Sequence, residues 1–373
     1  MSMDIVFKKR ALTALLGVIF IVSLLGLTTS LFPAEQSDIV PASSETVISN
    51  EQNAAKSAIE PVTSEEEGAA AVQPSPSSVN ADVDEGEDED LVQVDTAPTH
   101  PDEWQAKDFG KLTGSLATMI EKNLRSHKIL LTAVANGGMA DYTLNWIESL
   151  KRTKQDDKFL VFAIDKELKE AMVAHGYEEH VVEIPPEWFH KQLSSDFAKW
   201  LDSSYTPITH AKTLVVERLL YHGVTVWFSD VDIVFTSPYI FDYLANKLTA
   251  RKGGMTELLI TQETEQKIVN SGFYLMRPSD TNKRILDDTI RIQDNEPKVT
   301  QQRAMNRVLD EMNLSYHDSP IALLDLALFP HGRHYFERNI PHKFGMEPMI
   351  VHANYRIGEE KKKSLQAANL WYL

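Results

Sequence analysis

The chain has 373 residues, a net charge of −17 and no cysteine. Its length allows one large folded domain or two ordinary ones. The acidic balance excludes a surface built to bind nucleic-acid phosphates, and the missing cysteines exclude thiolate nucleophiles, thiolate zinc sites and disulfide staples.

Residues 11–32 (ALTALLGVIFIVSLLGLTTSLF) carry no charge, and at 1.5 Å rise per residue they reach roughly 33 Å, enough to cross a hydrocarbon core. Lys8, Lys9 and Arg10 precede the run and the next base is Lys56. This asymmetry predicts a cytoplasmic tail at 1–10, a single-pass type II signal anchor at 11–32, and everything after it in the lumen. A cleaved signal peptide is the alternative, but the apolar run is longer than such peptides use and no small-x-small cleavage site closes it.

Residues 33–105 hold 18 acids against the single base Lys56. That segment therefore carries −17, residues 1–32 carry +2, and −2 is left for 106–373. Rich in Ser, Pro, Ala and Glu, with the run DVDEGEDED at 82–90, it cannot bury enough apolar surface to offset its chain entropy. A disordered, self-repelling stem is expected there, holding a folded domain at 106–373 away from the bilayer.

From about residue 126, β-rich apolar runs alternate with helical periodicity, which predicts an α/β fold with a mostly parallel sheet flanked by helices. The predicted strands are 129–135, 159–164, 181–184, 224–228, 258–261 and 272–276, with helices near 139–151, 166–175, 209–222, 280–293 and 301–312. Gly176 and Gly223 read as helix stops, and Pro185-Pro186 as a break. Asn313-Leu314-Ser315 is an N-glycosylation sequon.

The strand VTVWF delivers Ser229-Asp230-Val231-Asp232 at its carboxyl end, where open α/β sheets bind ligands. Two carboxylates at i and i+2 inside an apolar run are costly unless a cation or partners compensate them. They offer hard oxygen ligands to Mn²⁺ or Mg²⁺. The competing reading is a helix N-cap or turn before Ser237-Pro238. Asn136 and Asp165, at the ends of the first two strands, are placed either to meet a nucleotide or to cap their strand ends.

The series Asn145-Trp146, Lys212, Gly223, Trp227 to Val234, Asn270-Ser271-Gly272-Phe273, Phe329-Pro330 and His352-Ala353-Asn354-Tyr355 resembles the nucleotide-diphospho-sugar transferase family that includes plant cell-wall xylosyl-, arabinosyl- and galactosyltransferases. The resemblance implies a GT-A type, Rossmann-like nucleotide-sugar fold and a manganese-dependent, configuration-retaining transfer from a UDP-sugar. It further implies a glycan, glycoprotein or glycolipid acceptor and residence in the Golgi membrane. By that likeness Asp230 and Asp232 hold the metal with His352 as third ligand, while Gly358 and Lys361 meet the diphosphate, with Lys362 and Lys363 as substitutes for Lys361. Lys212 joins the donor-binding set, and Asn270 and Gln302 contact donor sugar or acceptor. Family members usually show Asp-Gln where this chain has Gln301-Gln302, and an amide cannot supply a carboxylate.

Two further readings compete. Asp230 to Val234 also fits the haloacid-dehalogenase phosphatase motif, in which the first acid is a nucleophile and the second an acid/base, although that motif normally opens its domain. The other is a non-catalytic luminal nucleotide- or glycan-binding protein that has kept a transferase fold.

Overall fold

The computed structural model describes residues 104–189, 205–250, 255–296, 299–314, 316 and 319–373, all within one compact unit spanning 74–373. The expected anchor at 11–32, nearly all of the stem at 33–105 and Ser315 of the sequon lie outside the described residues. No helix among the described residues is long and apolar enough to cross a membrane.

After a first helix, Gly114–Asn123 (α1), the chain enters the strand Ile129–Ala135 (β1), every residue of which is buried. The helix Ala140–Arg152 (α2), strand Leu160–Ala163 (β2), helix Lys166–Ala174 (α3) and strand Val181–Glu183 (β3) complete a parallel β1-β2-β3 run. A long helix, Tyr205–Tyr221 (α4), then returns the chain to Thr225–Ser229 (β4), which pairs with β1 on its other side, also in parallel. Strand order therefore reverses between β1 and β4, and a crevice at their carboxyl ends follows from that reversal.

The remainder is Ile233–Phe235 (β5), Ile240–Ala250 (α5), the hairpin Leu258–Thr264 (β6) and Ile268–Met276 (β7), then Asp280–Asn295 (α6) and Gln301–Glu311 (α7). Ile321–Leu323 (β8), Ile340–Lys343 (α8), Ile350–His352 (β9) and Glu359–Ala367 (α9) follow. The main sheet has the order β3-β2-β1-β4-β7-β6-β8, and β5 pairs with β9 in a separate two-stranded ladder.

Four of the six pairings in the main sheet are parallel, but β7 runs antiparallel to both β4 and β6. The sequence periodicity suggested two short strands at 258–261 and 272–276; the structure extends both. Only Glu265-Gln266-Lys267 joins them, and a connection that short can only make a hairpin.

Both faces of the sheet are covered. Leu130, Val134, Phe162, Val226, Phe228 and Tyr274 pack towards α4, α6 and α7, while Leu131, Ala133, Trp227, Phe273 and Leu275 pack towards α2, α3 and α5. The alternation of successive β1 residues between these two cores is the period of two of a strand, and burial on both sides explains why the run reads as continuously apolar. Each fully buried Leu or Phe contributes roughly 2 to 3 kcal/mol.

Residues 104–112 close the open side of α4 and α6. Trp104 Nε1 donates to Asp287 at 2.7 Å, and Lys107 Nζ lies 2.6 Å from Glu217 and 2.8 Å from Asp287. Phe109 packs edge-on against Tyr221, and the Arg218 guanidinium lies over its ring at 3.5 Å. Burial, together with Asp287 alongside, pushes the Glu217 carboxyl from 4.5 up to about 7 against the pull of Lys107. An unfolded Glu217 releases its proton near 4.5 while the folded one keeps it to about 7. The folded chain binds more protons in that window, so stability falls as pH rises through it, by up to about 3 kcal/mol. Thermal melts between pH 4.5 and 7.5 should show this decline, and Glu217→Gln should flatten it.

Candidate active site

Asp230 follows β4 directly, and its backbone N–H donates to Gly272 O at 2.8 Å, tying it to β7. Asp232 precedes β5, whose ladder with β9 sets Ile233 opposite His352; the Ala353 N–H donates to Asp232 O at 3.1 Å. The Thr236 hydroxyl donates to Pro348 O at 2.6 Å and extends the same ladder. This short ladder brings a histidine from the far end of the chain to the acidic pair.

Asp230, Asp232 and His352 each offer a ligand atom, all lying within 4.8 Å of one another. His352 Nε2 is 3.3 Å from Asp232 Oδ1 and Lys361 Nζ is 2.9 Å from Asp232 Oδ2, while Lys212 from α4 pairs with Asp230. Asp232, His352, Lys212 and Lys361 are all buried. Charges removed from water cost several kcal/mol each unless paired, and each acid here has its cation.

The protonation balance follows from those pairs. Burial raises the Asp230 carboxyl above its ordinary value, opposed by Lys212 and reinforced by Asp232. Burial also disfavours the charge on Asp232, but Lys361 and His352 outweigh it and hold that carboxyl well below the ordinary range. For His352 the desolvation that would lower it is exceeded by the attraction of Asp232, so its imidazole is raised.

Two carboxylates and one imidazole make an oxygen-rich donor set suited to Mn²⁺ or Mg²⁺. Gly272 leaves the space for it. An ideal Cβ there would lie 2.5 Å from His352 Cε1, 2.9 Å from Asp230 Oδ2 and 3.0 Å from Asn270 Oδ1.

Asn270 Oδ1 accepts from the Gly272 N–H at 2.9 Å, and Gln302 Oε1 accepts from the Ser271 N–H at 3.1 Å. Both amides thus brace the β7 backbone that holds Asp230, and the Asn270 amide nitrogen donates to Glu263. Gln301, the first residue of α7, is buried with its amide against the Tyr274 hydroxyl.

The remaining expected residues divide. Asp165 caps α3, accepting from Leu168 N at 3.0 Å and from Gly137 N at 3.0 Å, which is the capping alternative of the sequence reading. Asn136 Oδ1, at the end of β1, is buried without a partner among the described residues. Gly358 has φ +51, N-caps α9 and accepts at its carbonyl from the Tyr142 hydroxyl at 3.2 Å. Of the three lysines on α9, Lys361 reaches Asp232, whereas Lys362 sits 3.4 Å from Asp141 with its ammonium 4.6 Å from the Trp371 ring centroid.

Sequence reasoning did not find Glu263, His331 or His334. The motif pair Asn145-Trp146 proves to be a brace. Asn145 bonds Leu370 O at 3.1 Å and Tyr372 N at 2.6 Å, holding the chain end that follows α9, while Trp146 Nε1 donates to Ser229 at 3.0 Å. A cavity of about 370 Å³ lined by His127, Lys128, Thr225 and Arg277 opens at the other end of β1 and β4, away from the acids.

The chain belongs to the nucleotide-diphospho-sugar transferase family, whose model matches residues 154–366. The matched stretch takes in Asp230, Asp232, His352 and Lys361, and it displaces the phosphatase reading of Asp230 to Val234. The chain is 24% identical to a UDP-galactose:fucoside alpha-3-galactosyltransferase of Dictyostelium discoideum, over 68% of this chain and 44% of that protein. It is 28% identical to a UDP-D-xylose:L-fucose alpha-1,3-D-xylosyltransferase of Arabidopsis thaliana, over 61% of this chain and 65% of that one. It thus spans less than half the length of the first and about two thirds of the second. Among solved structures, the galactosyltransferase LgtC with donor and acceptor sugar analogues is similar at 12% identity, over 64% of this chain and 95% of that one, with a TM-score of 0.40.

The space at Gly272 generates a direct test. Gly272→Ala should drive His352 away from the acidic pair and weaken Mn²⁺ binding at least tenfold by calorimetry, with the circular dichroism of the fold retained.

Proposed function

We propose that this chain transfers a sugar, with retention of configuration, from a UDP-sugar to a fucoside-containing glycan, within a GT-A type domain. One observation supports it above the others. The cluster Asp230, Asp232, His352 and Lys361 stands at the carboxyl end of β4, inside the stretch that matches the transferase family. The fucoside acceptor is suggested by the two relatives, whose names both carry it.

A divalent cation held by Asp230, Asp232 and His352 would offset the negative charge of the departing diphosphate. Lys361 supplies a fixed ammonium for the same charge, and its burial keeps that interaction strong. Lys212 pairs with Asp230 and opposes the desolvation that raises its carboxyl. Gln302 spends its carbonyl oxygen on the Ser271 N–H, which leaves its amide N–H groups to hold a sugar hydroxyl. Asn270 bonds the Gly272 N–H and Glu263 and keeps one N–H for the same use. Gln301 adds a neutral amide where the family's usual acid would accept from a hydroxyl, which favours a donor sugar that presents an acceptor there. No nucleophilic carboxylate is assigned.

With this activity goes a topology read from the sequence: an anchor at 11–32, an acidic stem at 33–105 and a Golgi-luminal catalytic domain at 106–373.

The test is UDP release by the full-length chain from a panel of UDP-sugars and GDP-mannose, with Mn²⁺ or with EDTA, with and without methyl α-L-fucopyranoside. Mn²⁺-dependent turnover of one UDP-sugar is expected, abolished by Asp232→Ala and reduced roughly 10²- to 10³-fold by Lys361→Ala, with Lys362→Ala near wild type. UDP binding without any turnover would favour the non-catalytic binding protein instead. A folded chain that bound no UDP would overturn both.

A further inference from the structure

The segment that follows β8 runs beside β9 and is laced to it. Met349 N donates to Leu328 O at 2.7 Å, His352 N to Pro330 O at 3.2 Å, and Gly332 N to Asn354 Oδ1 at 2.7 Å. The approach is so close that a Cβ on Gly332 would lie 1.9 Å from Asn354 O. His331 is thereby fixed next to the stretch that carries His352.

A single wide helical turn follows, Arg333–Glu337, closed by the Arg338 N–H donating to Arg333 O at 2.9 Å. Such five-residue turns are uncommon and concentrate at functional sites. The turn sets His334 flat against His331, with ring centroids 4.1 Å apart and planes at 24°. Tyr355, held at φ +59, places its ring 5.2 Å from His331; a left-handed tyrosine is strained, and strain of this kind gathers at ligand sites.

Both imidazoles are buried, and the Nδ1 atoms of both make no hydrogen bond within the described residues. Leaving a buried polar atom unsatisfied costs about 1 to 3 kcal/mol, and here two such atoms stand on stacked rings beside the acidic cluster. The rings are neutral. Burial, with His334, His352, Arg338 and Arg333 around it, lowers His331 to about 3, and burial with Arg338 lowers His334. A neutral imidazole pairs with an uncharged hydroxyl, which both donates and accepts. A phosphate would be served by the lysines instead.

Resting on the transferase reading above, we infer that His331 and His334 line the acceptor subsite and bind a hydroxyl of the sugar being glycosylated. Asn270 and Gln302 brace the 271–272 backbone of β7 beside Asp230. The histidine pair lies on the β9 side, where an incoming acceptor can approach the same centre.

The test takes the full-length chain with Mn²⁺ and measures UDP binding by calorimetry, UDP release from UDP-xylose and UDP-galactose in water alone, and transfer to methyl α-L-fucopyranoside. In His331→Ala the KM for the fucoside should rise tenfold or more, while UDP affinity and the KM for the donor stay within twofold. His331→Asn, which keeps a polar atom at the Nδ1 position, should recover most of the loss; His331→Leu should not. His334→Ala should act in the same direction, and it decides the matter if loss of UDP binding shows that a His331 variant has not folded. An unchanged fucoside KM in the folded variants, or a change confined to the donor KM, overturns the inference. So does a wild type that hydrolyses the donor and leaves the fucoside untouched. A folded wild type that binds no UDP and releases none from any donor of the full UDP-sugar panel defeats the transferase reading itself.

Discussion

Two carboxylates at the end of a buried strand dominate the construction of this domain. An acidic pair without counter-charges there would cost several kcal/mol per acid, a sum comparable with the stability margin of a whole domain, so the fold must deliver cations to it. It does so from three separate places: Lys212 on α4, His352 at the end of β9 and Lys361 on α9. Each of these elements is secured by contacts whose main consequence is to aim one side chain. The β5–β9 ladder sets His352, the Asn145 bonds to Leu370 and Tyr372 hold the tail behind α9, and α4 lies across β1 and β4 with Lys212 over the Phe228 ring.

The same constraint accounts for Gly272. A side chain at that position would fill the space between His352, Asp230 and Asn270, so backbone approach and charge balance select one residue together. Asn270 and Gln302 act one step further out, bonding the 271 and 272 amides so that the Gly272 carbonyl stays on the Asp230 N–H. Removing either amide would leave a buried N–H unsatisfied at the point where Asp230 is fixed.

Much of this arrangement is legible in the sequence, for identifiable reasons. β1, β2 and β4 are buried on both faces and so read as continuous apolar runs, and the long helices end at Gly176 and Gly223, whose φ values of +83 and +75 suit a helix stop. Asp230 and Asp232 stand out because charge inside an apolar run needs an explanation. β5, β8 and β9 are three residues each and carry no marker that sets them off as strands, unlike the equally short β3, which sits between a helix stop at Gly176 and the break at Pro185-Pro186. The partners that define them are distant in the chain, so no local signal marks His352 as the residue opposite Ile233. The choice among Lys361, Lys362 and Lys363 depends on helix phase relative to α2, which a basic run does not encode. His331 and His334 were invisible for a different reason: a histidine in a loop has no pattern until its packing shows which ring nitrogens are left without partners.

The site as a whole is divided by charge. On one side stand three cations and two acids, an arrangement that suits a diphosphate and its metal. On the other stand two imidazoles whose proton affinity is lowered first by burial, which removes the water that would stabilise a proton, and then by the positive charge of Arg338. Burial is the first cause that lowers His331, and the positive groups around it add to that. An acidic cluster and a pair of imidazoles with unsatisfied Nδ1 atoms can thus share a few residues of backbone, because the ladder that aims His352 also fixes the segment that carries His331.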